Sequence, residues 1–290
     1  MATLKDIKVR MGSIKNTQQI TKAMKMVSAS KMKKAEDKIK EARPYSVKLR
    51  EMVENLAGGV EESAHPLLTQ REGGNAVVLL ITTDRGLCGG LNANLCKELL
   101  KIQKDPDAGV EFFELISVGR KGFEFFQSRD INIIEKYGDL KNDELVASVT
   151  EVVRKLIQQY TDGKFDKLFF AFNTFKNVIS QEATITQVLP IQPPTSGDEV
   201  IEETLKSEFI FEESRQAILD SILPQFVENQ AFTALLDNTA CEHAARMTAM
   251  DAATRNAGDI LSALQLKYNR ARQAAITTEL IEIISGAESL

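Results

Sequence analysis

The stretch Leu4-Lys-Asp-Ile-Lys-Val-Arg-Met-Gly-Ser-Ile14 places apolar residues at 4, 7, 11 and 14, the three-four-three spacing of a coiled-coil seam. The seam then turns small and polar through Gln18, Thr21, Ser28 and Ser30, with Met24 and Val27 continuing the stripe. It resumes at Ile39, Leu49, Val53 and Leu56, and Gly58-Gly59 predicts a C-cap. A helix over residues 3–57 is roughly 80 Å long at 1.5 Å per residue, with a kink expected near Pro44. No compact domain buries such a rod alone.

The far end of the chain supplies a partner. From about residue 208 to 285 the sequence favours helix almost throughout, interrupted by Pro224 and Gly258. Residues 231–263 hold ten alanines, which let two backbones approach closely. An antiparallel pairing that sets residue 56 beside about 212 makes paired numbers add to near 268 and puts 23–30 beside 238–245. The last 20 or so residues then extend past the first helix as a lone tip, and 273–290 contain no Lys or Arg.

Glycine and proline mark what lies between. Gly12 is the only glycine before residue 58 and only Gly258 and Gly286 follow 197, so 13 of the 16 fall in the middle with five of the seven prolines. Turn formers thus concentrate in a central domain flanked by long helices. Residues 76–82, Ala-Val-Val-Leu-Leu-Ile-Thr, read as a strand buried on both faces, and a helix is expected at 92–103. The alternation continues with a strand at 112–118, a helix at 119–129, a strand at 131–135, a helix at 142–160 and a strand at 167–172. A final segment, 182–191, is expected as an antiparallel edge. The fold class is α/β, a Rossmann-like doubly wound domain combined with a long antiparallel coiled coil. The expected divisions are 1–58 for the N-terminal shaft helix, 59–207 for the α/β domain and 208–290 for the C-terminal shaft helix.

Composition excludes several function classes. The 290 residues are 43% hydrophobic, with no run approaching the roughly 18 uncharged apolar residues of a membrane span. The N-terminus shows no apolar signal or transit pattern, so a cytoplasmic chain is expected. Cys88, Cys96 and Cys241 lack C-x2-C spacing and His65 and His243 stand apart, so no metal site is expected and buried free thiols are the better reading. The turn Thr83-Asp-Arg-Gly-Leu-Cys-Gly-Gly-Leu-Asn92 sits where Rossmann proteins hold phosphates, yet it fits neither G-x-G-x-x-G nor the P-loop with its lysine. Cys88 lacks an arginine six positions on, where Asn94 stands, and no Cys-His or Ser-His-Asp set assembles from the centre. No catalytic residue and no cofactor are expected.

Charge is unevenly placed. Residues 1–50 carry 14 Lys/Arg against 4 Asp/Glu, and the remainder 22 against 37. The basic first helix reads either as a solvated face or as a surface for an acidic partner.

Four stretches together resemble the gamma subunit, the central rotor shaft, of bacterial F-type ATP synthases. They are Ile14-Lys-Asn-Thr-Gln-Gln-Ile-Thr-Lys-Ala-Met-Lys-Met-Val-Ser-Ala-Ser-Lys-Met32, Asp84-Arg-Gly-Leu-Cys-Gly-Gly-Leu-Asn92, Glu242-His-Ala-Ala-Arg-Met-Thr-Ala-Met250 and Tyr268-Asn-Arg-Ala-Arg-Gln-Ala-Ala-Ile-Thr-Thr-Glu-Leu-Ile-Glu-Ile-Ile-Ser-Gly-Ala287. The resemblance spans the whole chain, and the last stretch is the most specific.

It implies a shaft inside a ring of three alpha and three beta subunits, which hold the nucleotides, with a foot that meets the epsilon subunit and the membrane ring of c subunits. It implies no catalytic site and no nucleic-acid partner, at the cytoplasmic face of the bacterial inner membrane. Ion flow, of protons or sodium, would be coupled to ATP synthesis or hydrolysis as the shaft touches each beta subunit differently. By resemblance an acidic beta-subunit loop pushes near Lys22, Met24, Lys25 and Arg246, which favours the partner reading of the basic helix. Arg272, Gln273 and Thr277 match positions that touch a beta loop higher on the shaft. Plastid relatives carry a regulatory cysteine pair where 190–208 here is short and cysteine-free, so no redox control is expected. A stand-alone coiled-coil scaffold with an α/β domain is the alternative.

Overall fold

The strand Asn75–Ile81 is buried from Ala76 onward on both faces, as its unbroken apolar run requires. The computed structural model describes residues 3–57, 65–71, 73–102, 110, 112–129, 131–139, 142–192 and 215–288. Its elements in chain order are α1 (Leu4–Ala57), β1 (Asn75–Ile81), α2 (Leu91–Ile102), β2 (Phe112–Val118), α3 (Arg120–Phe126), β3 (Ile133–Tyr137), α4 (Asn142–Thr161), β4 (Lys167–Phe175), β5 (Gln181–Leu189) and α5 (Arg215–Glu288). The expected C-cap at Gly58-Gly59, the start of the second long helix at 208 and most of the segment 190–208 lie outside the described residues.

The strands form one sheet in the order β3-β2-β1-β4-β5. β1, β2, β3 and β4 are parallel, and β5 runs antiparallel to β4 as the edge. The period-two alternation of β1 divides the core. Ala76, Val78 and Leu80 meet Leu95, Cys96 and Leu99 of α2 and Phe126 of α3. Val77, Leu79 and Ile81 belong to a second cluster with Val149, Val152, Val153, Leu156 and Tyr160 of α4. Helices therefore cover both faces, the doubly wound arrangement. Each fully buried Leu, Val or Phe contributes about 1.5–3 kcal/mol. β3 begins two residues later than expected and α3 is shorter, with 127–129 forming a turn.

The chain divides into two compact units, Lys31–Ala245 and the pair Met1–Ser30 with Arg246–Leu290. In the first, Leu49, Val53 and Leu56 of α1 and Leu219, Leu223, Phe226, Val227, Ala231, Ala234 and Leu235 of α5 join the α4-side core. Arg154 of α4 grips Glu228 of α5 through two bonds, of 2.7 and 3.1 Å. Ser46 of α1 reaches Asn229 and Thr233 of α5 at 3.3 and 3.4 Å.

In the second unit α1 and α5 pack antiparallel. Gln18 Nε2 donates to the Thr254 carbonyl at 3.4 Å, the Thr21 and Thr254 hydroxyls lie 2.8 Å apart, and Lys25 Nζ meets Asp251 Oδ1 at 2.5 Å. Paired numbers thus add to between 272 and 276, not the expected 268. Residue 25 faces 251, about two helical turns along α5 from where the apolar pattern placed its partner. The reason is that matched polar side chains choose the register here, whereas the expectation used chain ends and small residues.

Pro44, Pro224 and Gly258 lie inside α1 and α5 without ending them. Gly258 has a local purpose, since a Cβ there would stand 3.1 Å from Gln18 Nε2.

Candidate functional site

The seven residues singled out by resemblance all lie in the unit formed by Met1–Ser30 and Arg246–Leu290. Periodicity of 3.6 separates their environments. Thr21 and Ser28 face inward and are buried, Met24 and Lys25 are half-buried on either flank of that line, and Lys22 is exposed. Lys22 is therefore a cation directed to solvent. Lys25 is not, because its ammonium is bound to Asp251, which Arg255 also holds at 2.8 Å. The Lys25 hydrogen bond, reinforced by the charges of Arg255 and Lys25, holds the Asp251 carboxyl below the usual carboxylate range.

Arg246 is 8% exposed, so its guanidinium is committed within the protein rather than displayed on the surface. On α5 it lies five residues before Asp251, and the bonds at 18, 21 and 25 set residue 24 opposite about 251. Arg272, Gln273 and Thr277 are exposed farther along α5, and the Thr277 hydroxyl is turned back onto the Gln273 carbonyl at 2.9 Å. The structure thus sets Lys22 and Lys25 on one flank of α1, Met24 on the other flank of the seam, and Arg272, Gln273 and Thr277 on another stretch. Asp251 and the Thr21–Thr254 pair were missed in the sequence. Their signal was a run of polar residues inside a seam, which invited a search for matching polar residues on the opposite helix.

The glycine turn in the other unit is closed by its own side chains. Asn92 Oδ1 accepts from the Thr83 N–H at 3.2 Å, and Asn92 Nδ2 donates to Thr83 Oγ1 at 2.8 Å and Cys88 Sγ at 3.4 Å. The Thr83 hydroxyl donates to the Arg85 carbonyl at 2.7 Å. These bonds hold Leu87 at φ 64 and Gly89 at φ 61. A phosphate cradle needs inward backbone N–H groups and room. Here Asn92 and the Cys88 sulfur fill the middle of the turn.

All three cysteines are free and buried. Burial pushes the Cys96 thiol up to about 12 and raises that of Cys241 as well, which makes poor nucleophiles of both. Among the described residues no group of three or more His, Cys, Asp or Glu could hold a metal ion, and no helix is long and apolar enough to cross a membrane.

A family model described as ATP synthase matches residues 3–290. The chain is 46% identical over 292 residues to the ATP synthase gamma chain of Geotalea uraniireducens, covering 100% of this chain and 99% of that relative. Its fold is similar to a chain in the mitochondrial ATP synthase of Euglena gracilis, in a structure of OSCP, F1 and c-ring (TM-score 0.68, 19% identity, 99% of this chain and 94% of that one). It is also similar to a chain of the rotor of the same enzyme in another rotational state (TM-score 0.62, 20% identity, 94% and 98% covered).

Proposed function

Because the chain belongs to the ATP synthase gamma-chain family, we propose that it is the central shaft of a rotary complex, turning inside an alpha–beta ring while its foot rests on epsilon and the c-ring. The observation that carries this reading is the electrical asymmetry of the unit formed by Met1–Ser30 and Arg246–Leu290. Residues 3–30 hold six Lys or Arg and one Asp, the stretch 246–272 of α5 that the register sets beside them holds five against two, and 273–288 hold three Glu and no cation. The shaft is therefore more cationic on its α1 side than on its α5 side.

In a ring of three equal sites, such a shaft presents a different surface to each beta subunit. An acidic beta loop is held more strongly when the α1 side faces it than when the α5 side does. Each site's affinity for nucleotide is thereby biased in turn, which is coupling through differential contact. In this role Lys22 supplies an available cation, Met24 a half-buried apolar contact on the opposite flank of the seam, and the Lys25–Asp251–Arg255 cluster a fixed local field beside Lys22. Arg246 braces the shaft from within, and Arg272, Gln273 and Thr277 form a second, polar contact level on α5.

The chain carries no catalytic site in this reading, because its glycine turn is occupied by its own side chains and the chemistry belongs to the beta subunits. Division at residues 58 and 207 separates two shaft segments from the foot. The complex would hold the chain peripherally at the cytoplasmic face of the bacterial inner membrane. The full-length match to gamma chains disfavours a stand-alone scaffold.

Reconstitution with alpha and beta subunits tests the proposal. ATP hydrolysis and stepwise turning of a bead fixed to the α/β domain should require this chain. A fully active ring assembled without it, or a bead that never turns, would refute the shaft role.

A further inference from the structure

Between β1 and β4 the strand order changes direction, and an open doubly wound sheet usually leaves a ligand crevice at the carboxyl ends of such a pair. Here a helix occupies it. Cys241 of α5 forms a buried cluster with Cys88 and Leu91 from the glycine turn and the start of α2, and Phe175 and Ala245 pack against that cluster. A single β4 residue then makes two directional bonds to the same helix. Asn173 Nδ2 donates to Asn238 Oδ1 at 3.0 Å, and the Asn173 carbonyl accepts from Cys241 Sγ at 3.3 Å. Asn173 is 2% exposed and Asn238 4%.

Two amides so deeply buried are costly to place and are kept only with their bonds made. Packing alone does not explain them, because leucines would fill the same space. The rest of α5 in this unit lies on an apolar bed at Leu219, Leu223, Val227, Ala231 and Ala234. Such a bed resists separation, but the hydrophobic effect is non-directional and tolerates a small rotation of the helix about its axis. A hydrogen bond does not, since it weakens steeply as its angle closes. Two other polar ties to α5 are more exposed or longer. The side chain of Arg154 in the Glu228 pair is 67% exposed, and the Ser46 bonds are 3.3 Å or longer.

We infer that Asn173 and Asn238 form a key that fixes the rotational angle of α5 against the sheet, so that twist applied to the α/β domain enters the helix without slack. The inference rests on the shaft role proposed above and adds the place where torque crosses from sheet to shaft. The two asparagines are positioning residues, acting through the orientation of α5 and touching no nucleotide.

Stability and stiffness can be separated by chemistry. Truncating one asparagine strands the other as an unpaired buried amide, whereas replacing both with leucine leaves no orphaned group and can be nearly neutral. The test uses the assembled complex, with the alpha–beta ring fixed to a surface and a bead on the α/β domain. The angular spread of the bead is recorded within each pause of ATP-driven rotation.

The Asn173→Leu/Asn238→Leu complex should keep the parent's pauses, hydrolysis rate and resistance to heat, while its angular variance grows by about twofold as one of the main directional restraints is lost. Asn238→Asp, which keeps an acceptor for Asn173 Nδ2, should retain the narrow spread. An unchanged spread in the double-leucine complex overturns the key while the pauses still uphold the shaft. If the double variant fails to assemble, Asn238→Asp decides, because a spread broader than the parent's overturns the key. Absence of stepwise rotation in the unmodified complex would defeat the shaft role itself.

Discussion

Lys25 Nζ and Asp251 Oδ1 stand 2.5 Å apart across the α1–α5 pair, so one of the cations of the basic helix is answered from within the chain. Its field at a distance is that of an ion pair, not of a free charge. Asp251→Asn should therefore raise the positive potential of α1 while changing packing little. Attraction to an acidic partner is screened over about 10 Å at 0.1 M salt. The expected outcome is ATP hydrolysis by the assembled complex that depends more steeply on ionic strength than in the parent. Identical salt profiles would mean that Lys25 lies outside the partner's reach.

Asp237 and His65 give opposite pH windows. Burial raises the Asp237 carboxyl from 3.8 to about 6, so the native chain holds this proton more tightly than the unfolded chain. Stability from this group falls as pH rises between those two values, and above 6 the full cost of a buried charge remains. Asp237→Asn should stabilise the complex at pH 8 by up to about 3 kcal/mol, with no gain near pH 4. His65 is lowered below 6.5 by burial, against the pull of Asp220, and its Nδ1 accepts the Leu67 N–H at 3.1 Å. The native state thus prefers neutral imidazole, and stability is lost as pH falls below 6.5. Heat inactivation of the parent, Asp237→Asn and His65→Gln from pH 4 to 8 separates the two. A benefit of Asp237→Asn that is constant with pH would contradict the assignment.

Two glycines near the sheet's carboxyl end should respond differently to alanine. Gly119 sits at φ 91, and a Cβ there would lie 2.3 Å from the Thr82 carbonyl oxygen. Strain and overlap together cost about 3 kcal/mol. At Gly86 the nearest atom to an added Cβ is Lys121 Cε at 3.9 Å, so Gly86→Ala should be neutral or slightly stabilising. Comparing heat inactivation of the two variant complexes checks this, and equal losses would show that the 84–92 turn depends on glycine at 86 for another reason.

The sheet was legible in the sequence because its strands are buried on both faces and announce themselves as apolar runs between turn formers. β1, β2, β4 and the antiparallel edge β5 fall within a few residues of their expected places. The helix pair was legible as a pair but not in register. An apolar seam slides by a heptad at little cost, and what fixes it here is Thr21 against Thr254 and Lys25 against Asp251, matches between residues more than 200 positions apart. For the same reason nothing local signalled that Asn173 and Asn238 meet, or that Arg246 would be buried. The glycine turn departs from phosphate motifs in its spacing, and its closure by Asn92 needed three dimensions.

The Thr21–Thr254 contact yields the sharpest test of what sets that register. The hydroxyls are 2.8 Å apart, with the Gln18 carbonyl 3.0 Å from Thr21 Oγ1 and the Met250 carbonyl 2.7 Å from Thr254 Oγ1. Each hydroxyl has one proton, so one threonine donates across the helices while the other donates to its own helix. Replacing either with valine keeps the shape and removes the shared bond, at about 1 kcal/mol, while the remaining hydroxyl donates to the carbonyl of its own helix. Replacing both removes that same single bond, so the double variant should cost less than the two singles added together, as coupled neighbours do. Polar residues in a coiled-coil seam specify register at some expense in stability. Thr21→Val/Thr254→Val should accordingly resist heat nearly as well as the parent, while ATP-driven ion pumping by reconstituted vesicles falls relative to hydrolysis because the two helices no longer hold one alignment. If the single effects simply add and the ratio of pumping to hydrolysis is unchanged, the threonines only fill space and Lys25–Asp251 holds the register alone.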